Sequence, residues 1–365
     1  MNKLRVVVCG TVFGRYYLEG IRKIPERYTL TGIFARGSTH SKQVAEHYGV
    51  PLFTDIEMIT KENADIACVV VSSAIIGGNG TDLALNFLKK GIHVIQEHPV
   101  HLREYQKCLL MSSKNRCKYK LNTFYPDLLS IKHMICIVNK MREKLPIIFI
   151  RAECSVQLLF PMLDIISQVL GGLEPYQMEK LSGSLPQRFS VLSGTIRGVP
   201  IMLTIDNHMD LKLPESNLTM FHRIQIGTPS GTLMLTDTHG KLIWIPILDE
   251  RLKKLQHGDN NYLAEIPIQE ELGNNKPGTL GDIFLKYWPQ CMANVLYDFY
   301  DDIKEKRYIT QENQQMINVC KLWNTVGNLL GPYKTDVEPL NEPVDLDEFL
   351  KGIRLKMRSR GYPLP

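Results

Sequence analysis

Apolar and polar positions change their period once along this chain, near residue 145. Before that point, short continuous apolar runs alternate with stretches of helical period. Leu4–Cys9 (LRVVVC) is such a run, the mark of a strand covered on both faces. Helical sequence follows through Lys23. A strand over Leu30–Ala35 comes next, then a helix opening at Ser38 or Thr39, both good N-cap residues. A short strand at Pro51–Phe53 and a helix at Ile56–Lys61 lead to a buried strand at Ile66–Val71. A helix over Thr81–Lys90, stopped by Gly91, and a strand at Ile92–Gln96 continue the series. Strand–helix alternation at this spacing predicts a doubly wound parallel sheet, an α/β fold.

After about Leu145 the helical stretches give way to short strands joined by turns (GTPSG, DTHG). They fall at Ile147–Cys154, Ser190–Arg197, Ile201–Asp206, Arg223–Thr228, Gly231–Thr236 and Lys241–Ile245. This predicts an antiparallel meander, packed on one face and open on the other. Two helices follow at Cys291–Ile303 and Gln311–Leu329, and the proline-bearing tail from Pro332 reads as an extended strap. Domain limits are expected at 1–125, 126–330 and 331–365, the middle one α+β.

Composition narrows the class. With 365 residues, 44% hydrophobic and 22% charged, the chain resembles an ordinary globular protein, and a disordered one is excluded. No apolar run approaches the roughly 18–20 residues of a membrane span, and the one before Gly10 is too short for a secretory leader. A cytoplasmic protein is expected. The eight cysteines show no CxxC and no zinc-type spacing, so they read as buried thiols, and no metal is expected. A net charge of +5, spread along the chain, gives no nucleic-acid stripe and suits an anionic small molecule or an acidic protein.

Four stretches carry candidate chemistry. Gly10-Thr11-Val12-Phe13-Gly14 follows the first strand and opens a helix, where glycines let a backbone approach a pyrophosphate. The end of the second strand, where an NAD site expects a carboxylate, reads Ala35-Arg36-Gly37-Ser38 instead. Arg36 offers a planar fork, and Ser38 and Ser41 offer hydroxyls, which suits the 2′-phosphate of NADPH. Gln96-Glu97-His98-Pro99 and Asn122-Thr123-Phe124-Tyr125-Pro126 end two further strands, at the edge where open α/β sheets bind ligands. His98 and Tyr125 are therefore candidate proton donors. His101, His208 and His222 are read as structural.

On these residues the chain resembles the glucose-fructose oxidoreductase, inositol dehydrogenase and MocA group, which joins a Rossmann domain to an open-faced sheet. It departs from that group twice. Glu97-His98-Pro99 stands where the group has Glu-Lys-Pro with a catalytic lysine, and Gln168 stands four residues after Asp164 where the group has histidine. CGTVFGRYYLEG, FARGSTHS, DIACVVVSSAIIGGNG, HVIQEHPVH and NTFYP together resemble the thiazolinyl imine reductases of siderophore assembly lines, the yersiniabactin and pyochelin type. The resemblance is dense over residues 5–126 and thins in the second domain.

That resemblance implies NADPH-dependent reduction of a thiazoline C=N to a thiazolidine on a carrier-protein-bound intermediate, with proton donors at Tyr125 and His98. It adds Ser72, Ser73 and Glu97 to the cofactor contacts, a carrier domain of a nonribosomal peptide synthetase as partner, and a homodimer built on the second domain. Two other readings stay open: an NADP-dependent reductase or dehydrogenase of another small molecule, and an NADP-sensing regulator without turnover.

Overall fold

The computed structural model describes residues 3–74, 77–181, 188–210, 218–254, 262–273, 278–305 and 310–335, with 350, 351 and 353 beyond them. The first sheet contains β1 (Leu4–Cys9), β2 (Tyr28–Phe34), β3 (Leu52–Phe53), β4 (Ile66–Val69), β5 (His93–Glu97) and β6 (Tyr119–Asn122). All six are parallel in the order β3-β2-β1-β4-β5-β6, so the order reverses beside β1. Val6, Val7, Val8 and Cys9 have no exposed surface, as a strand with helices on both faces requires. The covering helices are α1 (Gly14–Lys23), α2 (Thr39–Tyr48), α3 (Gly80–Lys89) and α4 (Leu102–Lys114).

One expected helix is absent. Ile56–Lys61 is only a 3-10 turn, Ile56–Met58, capped by the Asp55 side chain. Ile59 is extended and fully buried there, and the Lys90 ammonium donates to the carbonyls of Ile56 and Ile59, ending the turn.

α5 (Leu129–Met141) leads into the second sheet. Its strands are β7 (Phe149–Ser155), β8 (Tyr176–Leu181), β9 (Phe189–Ile196), β10 (Val199–Asp206), β11 (Arg223–Thr228), β12 (Gly231–Leu235), β13 (Leu242–Pro246) and β14 (Glu270–Leu272). Their order is β14-β13-β12-β11-β7-β10-β9-β8. The predicted meander is corrected here: β7 enters the middle and pairs parallel with β10, because α6 (Leu159–Leu170) and a hairpin separate them in sequence. Alternation along β10 leaves Ile201, Leu203 and Ile205 buried under the helices and Met202 facing out.

A single helical turn, α7 (Leu280–Asp282), runs through a π-helical segment into α8 (Trp288–Lys304), and α9 (Thr310–Leu330) follows. α8 packs on α1, so the C-terminal region seals the first domain. Gly20 lets this happen, since a Cβ there would sit 3.0 Å from the Ala293 nitrogen. The Tyr28 hydroxyl donates to the Leu296 carbonyl, and Arg27 pairs with Asp301. Most of the predicted C-terminal strap lies outside the described residues; Lys334 forms a parallel bridge to His208. Among the described residues no helix is long and apolar enough to cross a membrane.

Candidate active site

The turn after β1 is shaped for close approach. Gly10 has φ +97°, and a Cβ there would lie 2.3 Å from the Val70 oxygen. α1 then begins without a side-chain cap and without an acid in its first turn, leaving its first N–H groups for an anion. Thr11 is buried, whereas Val12 stands out over the turn. Across the cleft, Gly80 is required because a Cβ would meet the Val71 oxygen at 2.2 Å. The Gln96 amide donates to Ser73 Oγ at 2.9 Å, which pins that loop while Ser72 stays exposed.

Beyond β2, Ala35 and Gly37 (φ +82°) carry the exposed Arg36 to the N-terminus of α2. Ser38 caps that helix by accepting from the Ser41 N–H at 3.2 Å. Ser41 itself is buried and donates its hydroxyl to the Ser38 carbonyl, so its contribution is to the turn. The residues present therefore fit a dinucleotide: an uncapped helix start after a glycine turn, and an exposed guanidinium where the adenosine ribose end would lie.

The register Glu97↔Asn122 sets the ends of β5 and β6 side by side. The Asn122 carbonyl accepts twice from His98, from its N–H at 3.1 Å and from Nδ1 at 3.0 Å. A carbonyl oxygen only accepts, so Nδ1 carries the hydrogen. Glu97 Oε1 also lies 3.0 Å from Nδ1. The other oxygen, Oε2, accepts from the Tyr17 hydroxyl at 2.6 Å and from the Asn122 amide at 3.2 Å. Burial, with Glu97 beside it, pushes the Tyr17 phenol well above its ordinary range, so it remains a donor.

The His98 ring stacks on Phe160 of α6 at 5.9 Å. Phe124, at φ +61°, turns the chain after β6 and delivers Tyr125 into the same space. The rings of Tyr125 and His98 are 6.2 Å apart, edge to face. Both line a cavity of about 330 Å³, together with Phe13, Ser72, Glu97 and Trp288. His98 and Tyr125 are thus brought together, beside the residues expected to hold a cofactor.

A substrate wall from the second domain is what the sequence leads one to expect, but no residue of it is legible there. Gln157, Leu158, Phe284 and Trp288 line the cavity. Trp288 meets Phe13, Tyr16 and Phe124 and donates its indole N–H to His239 at 3.2 Å. Its only local signal is the Trp288-Pro289 pair, since proline favours a helix's first turn.

The remaining histidines fall elsewhere or are committed. His222 is fully buried against Tyr125, with ring centroids 4.8 Å apart. Its Nε2 faces the Leu158 carbonyl at 3.1 Å and its Nδ1 the Thr238 hydroxyl at 2.9 Å. Burial pulls its pKa down to about 3, so it is a neutral prop. His208 pairs with Asp206 at 2.6 Å, and His101 sits at the start of α4 beside Trp323. Asp164 is buried, accepts from Thr123 Oγ1 at 2.5 Å and from the Gln168 amide at 3.3 Å, and burial raises its pKa. It lines a separate polar cavity of about 300 Å³ with Lys120 and Glu312. Among the described residues no group of three His, Cys, Asp or Glu side chains is placed to hold a metal ion.

Comparison with known proteins agrees with this layout. Residues 4–123 match the family model described as "Oxidoreductase family, NAD-binding Rossmann fold", GFO_IDH_MocA. Residues 146–245 match the model "Thiazolinyl imine reductase Irp3-like, C-terminal". The chain is a Gfo/Idh/MocA oxidoreductase with an Irp3-like C-terminal domain. No curated protein matches it.

Similar solved structures share the fold of this oxidoreductase at low identity. UDP-N-acetylglucosamine 3-dehydrogenase GnnA from Acidithiobacillus ferrooxidans has a TM-score of 0.66 at 13% identity, covering 90% of this chain and 98% of that one. An oxidoreductase from Agrobacterium radiobacter, solved with NAD+, L-tartaric acid and magnesium, has 0.65 at 10%, covering 88% and 95%. GenD2 from gentamicin A biosynthesis, solved with NAD, has 0.62 at 12%, covering 89% and 93%.

Proposed function

We propose that the protein uses NADPH to reduce a thiazoline C=N to a thiazolidine on a carrier-protein-bound intermediate of siderophore assembly. The observation that carries this reading is the meeting of His98 and Tyr125 over one cavity, in a chain whose second domain matches the Irp3-like thiazolinyl imine reductase model. NADPH, when bound, supplies a hydride to the imine carbon. Arg36 and Ser38 would hold the 2′-phosphate, and the start of α1 the pyrophosphate.

The chain's own task is the proton. Charge builds on the imine nitrogen as the carbon accepts hydride, and a placed acid is worth on the order of 10²–10⁴ in rate. A phenol carries its proton at neutral pH, so Tyr125 delivers one, while His98 orients it, relays a proton or donates directly. Phe13, Tyr16 and Trp288 exclude water and give a planar heterocycle aromatic faces. A carrier domain of a nonribosomal peptide synthetase is the partner in this reading. A second copy of the chain covers the open face of the second sheet, where Leu181, Phe189 and Met202 are exposed. The cytoplasm supplies the NADPH.

Turnover with a synthetic thiazoline thioester tests the proposal. Rapid NADPH oxidation supports it. Oxidation only with other carbonyl or imine substrates, or tight NADPH binding without turnover, replaces it with a different reductase or a cofactor-sensing regulator.

A further inference from the structure

The turn that joins β7 to α6 reaches both halves of the acid pair. Ser155, the last residue of β7, is anchored by its hydroxyl to the Met220 carbonyl at 2.9 Å. A 3-10 turn, Val156–Leu158, follows and runs straight into α6. The Leu158 carbonyl faces Nε2 of His222 at 3.1 Å, and His222 packs its ring on Tyr125. Phe160, two residues further on, stacks on His98. The turn is thus tied to Tyr125 on one side and to His98 on the other, and its middle residue is Gln157.

Gln157 lines the cavity that these two residues share. Its Oε1 is buried and finds no hydrogen-bond partner among the described residues. An enclosed amide oxygen without a donor destabilises a fold, so this side chain is not explained by holding the turn together. With Oε1 enclosed, the NH2 end is left for the cavity. The rest of the second domain's described wall has no spare polar group. Leu158, Leu218 and Phe284 are apolar, and the Trp288 indole N–H is committed to His239. From the first domain, Arg15 donates to the Tyr16 hydroxyl, and Ser72 and Glu97 are among the residues expected to hold the cofactor.

We propose that Gln157 recognises the substrate's acyl carbonyl, its amide N–H donating to that oxygen while Tyr125 and His98 serve the ring nitrogen. This role rests on the proposed reduction of a thiazoline and names the substrate group that the second domain reads. A thiazoline closed from a cysteinyl residue keeps the cysteine carbonyl on the carbon next to the ring nitrogen. Two carbons then separate the nitrogen from the carbonyl oxygen, and a donor set beside the acid pair meets the second acceptor while the pair meets the first. Held at both points, the ring cannot turn over, and one face of the C=N is presented to the cofactor.

A cycle between residue and substrate tests this. A synthetic thiazoline thioester is compared with its thioether analogue, in which CH2 replaces the carbonyl, using the full-length wild type and Gln157→Leu. The thioester-to-thioether ratio of kcat/KM should fall about three- to tenfold in the variant, the scale of one neutral hydrogen bond. The intrinsic difference in reactivity between the two compounds cancels in that comparison. Gln157→Glu, which keeps the size and loses the N–H, should lower the ratio as well. The melting temperature of Gln157→Leu should hold or rise, since a buried oxygen without a partner is removed. An unchanged ratio overturns the proposal: with a lowered melting temperature it would make the amide structural, and with a tenfold loss of NADPH affinity it would place the amide on the nicotinamide. A wild type that reduces neither compound removes the thiazoline reading and this role with it. A wild type that reduces both, with a ratio that Gln157 does not alter, removes this role alone.

Discussion

The main-chain oxygen of Asn122 lies 3.0 Å from Nδ1 of His98 and 3.1 Å from its N–H, so one carbonyl fixes both the backbone and the ring. Two adjacent parallel strands end at the same level, and the last residue of one orients the first residue past the other. The ring is thereby oriented by the sheet itself.

Arg36 is expected to read the cofactor's phosphate. It is exposed at the end of β2, and the α2 start beside it is capped by Ser38. Hydrogen bonds to a charged group are worth about 1.5–3 kcal/mol. Arg36→Ala should weaken NADPH binding by roughly tenfold to a hundredfold and leave NADH nearly unchanged. Fluorescence titration with both cofactors checks this; equal losses would take Arg36 off the phosphate.

Trp288 should matter for substrate more than for cofactor. Its ring joins Phe13 of the first domain to the π-helical segment through Phe284. Trp288→Leu is expected to raise KM for a thiazoline substrate by on the order of tenfold, the scale of 1–2 kcal/mol of lost aromatic contact. A change confined to NADPH affinity would place the wall on the wrong ligand.

Asp164 should be a structural carboxyl. It is buried in α6, bonded to Thr123 and Gln168, and lines the other cavity. Asp164→Asn should lower thermal stability by about 1–3 kcal/mol, the usual cost of disturbing a buried polar pair, while turnover falls less than tenfold. Loss of turnover as deep as that at His98 would move the chemistry toward α6.

One buried histidine, His222, and two partly buried ones, His93 and His239, give the fold an acid-sensitive window. Burial lowers His222 to about 3, and His93 and His239 to about 4, from an ordinary 6.5. The unfolded chain then binds more protons between about pH 6.5 and pH 4, so stability is full above 6.5 and falls as pH drops through that window. By pH 5 each histidine should cost about 1–2 kcal/mol. Melting temperature against pH, in wild type and in His222→Gln, measures the slope. A flat profile from pH 7 to pH 5 would contradict the lowered histidine pKa values.

What could be read from the sequence follows from where each signal resides. The buried strands of the first sheet announce themselves because every residue in them is apolar, and Gly10, Arg36, His98 and Tyr125 sit at strand ends a few residues away. β8 and β14 were invisible because they are edge strands with mostly exposed, polar residues (YQMEKL, EEL), so no alternation survives. The parallel β7–β10 pair depends on a crossover that local pattern does not encode. Trp288 reaches the cavity only because α8 docks on α1, a long-range packing event. Tyr17 looked like one more apolar residue of an amphipathic helix; its hydroxyl gains meaning only when β5 brings Glu97 to it.

Tyr125 and His98 are expected to supply the proton during NADPH-dependent imine reduction. Single-turnover reduction of a carrier-bound thiazoline at saturating NADPH tests it most directly. Tyr125→Phe keeps the ring against His222 and removes only the hydroxyl, so the rate should fall by about 10²–10⁴ with NADPH affinity nearly constant. His98→Asn should fall less if the imidazole orients the phenol, and more if it donates. A loss smaller than tenfold in both variants would contradict the claim and leave catalysis to the placement of the imine carbon beside the hydride.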